Sequence, residues 1–219
     1  MPVFALDKDL IFPPQNLAEP DGLLAIGGDL SAERLLLAYE NGIFPWYSEE
    51  DILWWCPDPR FVLFPAELRI SKSMKQLLKR NGFEFTVNKS FEKVINNCKS
   101  INRGEDRGTW ITDEMKAAYI NLHKLGYAHS AEVWKENDLV GGLYGIKIGK
   151  VFFGESMFSK TSNASKYAFI KYTQQLQAEG IELIDCQVYT EHLESLGAKM
   201  ISRNSFLQLL HKLLNSNLR

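Results

Sequence analysis

The segment Leu183-Ile184-Asp185-Cys186-Gln187 puts a carboxylate and an amide two residues apart. Strand side chains alternate, so Asp185 and Gln187 share one face and Ile184 and Cys186 the other. A carboxylate and an amide at this spacing can hold a reacting amine and a carbonyl oxygen together. A strand-end Asp is also often satisfied by a neighbouring helix, and the five residues alone leave both uses open. A basic arc comes earlier. At about 100° per residue, Arg69, Lys72, Lys75, Gln76, Lys79 and Arg80 fall on one side of a helix, with Ile70, Met74, Leu77 and Leu78 opposite. A one-sign arc without an acidic residue suits a phosphate backbone; an ordinary solvated face is the equal alternative. Trp46, Trp54, Trp55, Trp110 and Phe152 are core residues by type, but Trp46 and Trp110 stand at loop junctions, where a ring can stack on a base. The four histidines show no metal spacing, and no metal is expected.

Composition bounds the classes. The chain has 219 residues, with 25 Lys and Arg against 27 Asp and Glu, a net charge of -2. A generally basic nucleic-acid binder is excluded, whereas a local basic patch is not. Hydrophobic residues at 45% and charged residues at 24% are those of a globular protein with a real core. Three separated cysteines, Cys56, Cys98 and Cys186, form no CxxC and read as reduced thiols. No basic leader with an apolar run opens the sequence, and no stretch approaches a membrane span. A cytoplasmic protein without a membrane partner is expected.

The elements that must position these residues follow from periodicity. Seven of the eight prolines fall between residues 11 and 65, marking a small loop-rich N-terminal domain of residues 1–60 that holds one helix, from Ser31 to Gly42. The spacing predicts a helix over Arg69–Arg80, a strand over Phe83–Val87 and two helices carrying Phe91, Val94, Ile95, Cys98 and then Met115, Ala118, Tyr119, Leu122. Strands over 129–135, 139–148 and 151–155 follow, then a helix over 163–178. A strand over 181–186, a short helix, a strand at 199–202 and a last helix over 205–214 complete the chain. The predicted class is α+β. Residues 61–219 carry the order β-α-α-β-β-β-α-β-α-β, that of the GCN5-related N-acyltransferase-like mixed sheet. Such a fold gives only a prior on function. In acetyltransferases of that fold a Gly-rich turn after the fourth strand cradles the pyrophosphate of coenzyme A. Here the turn Met157-Phe158-Ser159-Lys160-Thr161-Ser162-Asn163-Ala164 has no glycine, which counts against acetyl-CoA as donor.

Across nearly the whole chain the sequence resembles the bacterial leucyl/phenylalanyl-tRNA–protein transferases. The matching stretches run in order. They include Gly22-Leu23-Leu24-Ala25-Ile26-Gly27-Gly28-Asp29-Leu30-Ser31, Gly42-Ile43-Phe44-Pro45-Trp46, Leu53-Trp54-Trp55-Cys56-Pro57-Asp58-Pro59-Arg60, Thr109-Trp110-Ile111 and Glu132-Val133-Trp134. Further on come Val140-Gly141-Gly142-Leu143-Tyr144-Gly145, Gly154-Glu155-Ser156-Met157-Phe158-Ser159, Asn163-Ala164-Ser165-Lys166 and Ile184-Asp185-Cys186-Gln187. The resemblance implies transfer of Leu or Phe, and less well Met, from aminoacyl-tRNA to the α-amine of an N-terminal Arg or Lys. That reaction marks the acceptor for degradation by the N-end rule. An aminoacyl ester is already activated, so no cofactor is implied.

By the same resemblance, Asp185 and Gln187 handle the attacking amine, with Glu155 beside them. Trp46 and Trp110 hold the terminal adenosine. Leu143, Phe152, Met157 and Ile184 line the pocket for the donor side chain. Simple alternation points Ile184 away from Asp185, so a twist or bulge at the strand end is required. Lys72, Lys75, Lys79 and Arg80 take the acceptor-stem phosphates, and a monomer is expected. The rivals are a small-molecule N-acetyltransferase, disfavoured by the missing phosphate loop, and a non-catalytic tRNA binder, which would not need the Asp185–Gln187–Glu155 group.

Overall fold

The computed structural model describes residues 3–47, 51–80, 82–100 and 111–215. Two sheets organise them. The first takes its strands from the proline-rich N-terminal part: β1 (Phe4–Leu6), β2 (Leu23–Gly27), β3 (Phe44–Pro45) and β4 (Leu53–Trp55), in the order β1-β2-β4-β3. Helix α1 (Ala32–Glu40) interrupts them. Ser31 caps it, its side-chain oxygen accepting from the Arg34 backbone N–H. These short strands lie in a segment read from sequence as loop with one helix, because Pro and Gly mask runs of only two to five residues.

The second sheet has seven strands in the order β11-β5-β10-β9-β8-β7-β6. Strand β5 (Arg60–Leu63) opens it, followed by α2 (Lys72–Lys79), β6 (Glu84–Val87), α3 (Phe91–Ser100) and α4 (Asp113–Lys124). The meander β7 (Ala128–Lys135), β8 (Asp138–Ile148) and β9 (Val151–Ser159) comes next. Then follow α5 (Ala164–Ala178), β10 (Leu183–Gln187), α6 (Glu191–Glu194), β11 (Lys199–Ile201) and α7 (Arg203–Leu214). From β6 to β11 this is the order expected from the sequence. Two boundaries move by three residues or more. The basic helix starts at Lys72 and not Arg69, because Ser71 caps it by accepting from the Met74 N–H. The strand β9 continues to Ser159, past the expected end at residue 155. Strand β5 was not expected at all, yet it lies inside the sheet, antiparallel to both β10 and β11.

The two faces of the large sheet bury different partners. One face sets Val62, Tyr144, Ile146, Phe153 and Leu183 against α1, α3, α4, α7 and the small sheet. The other sets Phe61, Leu63, Leu143, Phe152 and Ile184 against α2, α5 and α6. Alternation produces this split. Ile184 pairs with Phe152 and Leu63 on the α5 face, while Asp185 pairs with Phe153 and Val62 on the α1–α4 face.

Two bulges break the alternation where the strands separate. In β9 the register runs Gly145↔Gly154 and then Tyr144↔Ser156, leaving Glu155 as the extra residue. In β10 it runs Asp185↔Val62 and then Gln187↔Phe61, leaving Cys186 extra. The first bulge depends on the absence of side chains opposite it. A Cβ on Gly145 would collide with the Phe153 carbonyl and come within 2.5 Å of the Phe152 ring. Gly145→Ala should therefore destabilise the fold by about 1–3 kcal/mol. In urea unfolding the midpoint should fall at constant m-value; an unchanged midpoint would show that this register is wrong. Among the described residues no helix is long and apolar enough to cross a membrane.

Candidate active site

The bulge turns the Glu155 carboxylate into a nest of donors brought from three elements. Oε1 accepts from the Tyr39 hydroxyl of α1 at 2.7 Å and from the Gln187 side-chain amide at 3.0 Å. Oε2 accepts from the Tyr119 hydroxyl of α4 at 2.8 Å, and the two tyrosine hydroxyls touch each other. Glu155 keeps a partly exposed edge, whereas both tyrosine rings are buried. Burial pushes the Glu155 carboxyl up to about 7. The three donors pull it down, and the nearby Asp185 charge adds to the rise. Burial first, and then the Glu155 charge, hold the Tyr39 phenol well above its usual range, and the same two causes act on Tyr119. Both therefore remain proton donors at neutral pH. The cluster is a buried-edge carboxyl that titrates near neutrality, held in place by fixed donors and opening where β9 leaves β10.

Asp185 lies directly behind it and is wholly buried. Its Oδ1 accepts from Arg60 Nε at 2.8 Å and its Oδ2 from Arg60 Nη2 at 2.6 Å, a two-point ion pair. Oδ1 also accepts from the Gln187 backbone N–H at 3.0 Å. Arg60 is buried too, its guanidinium 4.7 Å from the Phe44 ring centroid and 4.6 Å from that of Phe206. The shared face expected for Asp185 and Gln187 is corrected by the bulge at Cys186. Gln187 sits at φ 63, in left-handed backbone, so its side chain leaves the strand pattern and reaches Glu155. A bulge was required to bring Ile184 to the same side as Asp185. The bulge comes after Asp185, so Ile184 stays on the opposite face.

The other candidate residues divide into groups. Leu143 and Met157 are cross-strand partners, and so are Phe152 and Ile184. All four pack in or against the α5-side cluster, and only Met157 is partly exposed. Trp46 is 44% exposed just beyond β3; its ring lies 5.9 Å from that of Trp55, whose Nε1 donates to the Trp46 carbonyl at 2.6 Å. Trp110 lies outside the described residues. Lys72, Lys75 and Lys79 are exposed on α2, which packs inward through Met74, and Arg80 is exposed at its C-cap. Among the described residues none of the four forms an ion pair. A cavity of about 470 Å³ elsewhere, lined by Lys93, Asn96, Asn97, Asp138 and Lys160 among others, contains none of the candidate residues.

Sequence reasoning missed Tyr39, Tyr119 and Arg60 as site residues. Tyr39 and Tyr119 fall on helix faces that read as core, and their rings are core; only the hydroxyls reach the site. Arg60 had one signal, a charge heading the apolar run Phe61-Val62-Leu63 between two prolines.

Comparison with known proteins identifies the family of the chain. Residues 62–211 match the family profile described as leucyl/phenylalanyl-tRNA protein transferase, and residues 28–58 match that family's N-terminal domain. A leucyl/phenylalanyl-tRNA–protein transferase of Syntrophobacter fumaroxidans is 58% identical over 96% of this chain and 90% of its own length. One from Flavobacterium johnsoniae is 57% identical over 95% and 99%. Among solved structures, L-PGS from Bacillus licheniformis gives a TM-score of 0.42 at 14% identity, covering 78% of this chain and 57% of that one. A GCN5-related N-acetyltransferase from Kribbella flavida gives 0.40 at 14%, covering 75% and 58%. This chain thus spans a little over half of each of those two structures. The chain is an aminoacyltransferase. It belongs to the family of leucyl/phenylalanyl-tRNA–protein transferases.

Proposed function

We propose that this protein moves Leu or Phe, and less well Met, from the 3′ end of aminoacyl-tRNA to the α-amine of an acceptor protein beginning with Arg or Lys. It would act as a cytoplasmic monomer and feed the N-end rule route of degradation. Beyond family membership, the observation that carries this reading is the Glu155 carboxyl, raised to about 7 and held by Tyr39, Tyr119 and Gln187 where the strands part. An α-ammonium has a pKa of about 7.7–8.0. Near neutral pH part of it gives its first proton to solvent, and the free amine nitrogen attacks the ester carbonyl carbon. As the C–N bond forms, the Glu155 carboxylate accepts the second nitrogen proton. The C–O bond to the terminal ribose breaks, and that proton passes to the departing ribose oxygen. The tyrosine hydroxyls and the Gln187 amide act as fixed dipoles around the developing charges. Holding both large substrates in register supplies more of the rate than proton transfer does, up to about 7–11 kcal/mol.

The rest of the site follows this division of labour. Exposed Trp46, with Trp55 behind it, stacks the terminal adenosine together with Trp110. Lys72, Lys75, Lys79 and Arg80 meet acceptor-stem phosphates. Leu143, Phe152, Met157 and Ile184 form the apolar wall for the donor side chain, with the partly exposed Met157 at its entrance. The test is incubation of the purified protein with labelled Leu-tRNA and a peptide beginning with Arg or Lys. Label should enter that peptide and not its α-acetylated form; equal labelling of the acetylated peptide would defeat the reading.

The pocket makes a prediction of its own. Donors unbranched at Cβ should be preferred, and Ile-tRNA should be used less well than Leu-tRNA by a factor matching about 1–3 kcal/mol. Met157→Ala should relax the preference towards larger rings. Competition between the two charged tRNAs checks this, and equal use of Ile and Leu would remove these residues from donor choice.

A further inference from the structure

We propose that the Arg60–Asp185 pair is the positioning device of the transfer site, setting Gln187 and the strand that leads to Trp46 without touching either substrate. The inference rests on the transfer reading above. Both partners are at most 1% exposed, and the Asp185 carboxylate accepts from Arg60 Nε, Arg60 Nη2 and the Gln187 N–H. Both oxygens are engaged, and neither is exposed to an incoming amine. As a stabiliser such a buried pair is poor, because replacing it with packed apolar side chains is often neutral or favourable. What the pair supplies is position. The bond from the Gln187 N–H to Asp185 Oδ1 closes the bulge and holds Gln187 at φ 63, a backbone that a residue with a Cβ rarely adopts. From that backbone the Gln187 amide meets Glu155 at 3.0 Å.

The second arm runs to the donor side. The Arg60 guanidinium lies between the rings of Phe44 in β3 and Phe206 in α7. Phe44 is two residues before Trp46, and the Trp46 backbone N–H donates to the Leu53 carbonyl of β4. One planar cation therefore registers the exposed indole of the small sheet against the end of β10 in the large one. The third guanidinium nitrogen, Nη1, is buried without a hydrogen-bond partner among the described residues. That is tolerable for a group sandwiched between aromatic faces.

The experiment uses the full chain carrying Arg60→Met together with Asp185→Leu, which fills the volume and leaves no lone buried charge. Wild-type transfer to an Arg-initiated peptide, measured alongside, tests the transfer reading separately. The double variant should fold with an unchanged melting temperature, lose about 10²-fold in kcat through Gln187 and raise its KM for Leu-tRNA severalfold through Trp46. In a Gln187→Ala background the same two changes should add little further loss in kcat, because both reach the chemical step through one side chain. Wild-type kcat, or losses that multiply with that of Gln187→Ala, would overturn the proposal. Its crystal structure gives a readout independent of turnover: Gln187 should leave left-handed backbone and lose its bond to Glu155, and an unmoved Gln187 would overturn the proposal as well. Should the double variant fail to fold, Arg60→Lys keeps the charge and removes the two-point fork. It should show the same fall in kcat, and a wild-type kcat from it would overturn the proposal.

Discussion

Glu155→Ala should lower the rate of aminoacyl transfer by about 10²–10⁴-fold while leaving the affinity for tRNA as it was. The reason lies in how the cluster is built. Glu155 is the acceptor on which Tyr39, Tyr119 and Gln187 converge, so removing it strips the site of its titrating carboxyl and leaves three donors facing a void. The basic face of α2 lies on another element and packs through a different cluster, so its contacts with nucleic acid should persist. Turnover of Leu-tRNA against an Arg-initiated peptide gives the first quantity, and filter binding of the charged tRNA the second. A variant whose rate stays within the range of ordinary surface substitutions would take Glu155 out of the chemistry.

The complementary loss is expected on α2. Reversing both Lys75 and Lys79 to Glu should weaken tRNA binding by about tenfold or more at moderate salt. It should also flatten the plot of log affinity against log salt by about 1.4–1.8, since each phosphate contact accounts for about 0.7–0.9 of the slope. Both side chains are exposed and neither forms an ion pair among the described residues, so the fold should tolerate the change. Transfer from a minimal donor, the Leu ester of adenosine, should be nearly unaffected, because that donor has no acceptor stem to contact the helix. An unaltered affinity and salt slope would reduce this face to an ordinary solvated one.

Much of this was legible in the chain because long periodic elements carry their own signal. The helices over 91–100 and 113–124, the meander from 128 up to residue 155 and the helix over 164–178 appear where their apolar spacing put them. The basic face is equally local, since it needs only 3.6-residue periodicity and one sign of charge. The missing parts are non-local. Nothing in Phe61-Val62-Leu63 says that the run lies between two strands from the far end of the chain. Alternation places Asp185 and Ile184 on opposite faces, but it cannot anticipate an extra residue at Glu155 or Cys186, and those two bulges assemble the cluster. Tyr39 and Tyr119 reach Glu155 from 116 and 36 residues away in sequence, through hydroxyls at the tips of core rings. The buried partner of Asp185, Arg60, lies 125 positions earlier, beyond the reach of any local pattern.

Single-turnover transfer of Leu from Leu-tRNA to an Arg-initiated peptide, followed across a pH series in the unmodified protein and in Glu155→Gln, bears most directly on the account. Below pH 7 the Glu155 carboxyl, raised to about 7, is mostly protonated and cannot accept a proton. The rate should therefore climb as pH rises through 7, with a second rise as the α-amine deprotonates at about 7.7–8.0. The amide cannot titrate, so Glu155→Gln should be slow and should keep only the later rise. The product in both cases should carry Leu on the α-nitrogen of the peptide's Arg, as read by mass spectrometry. Equal rates with the same pH course in the two proteins would contradict the account.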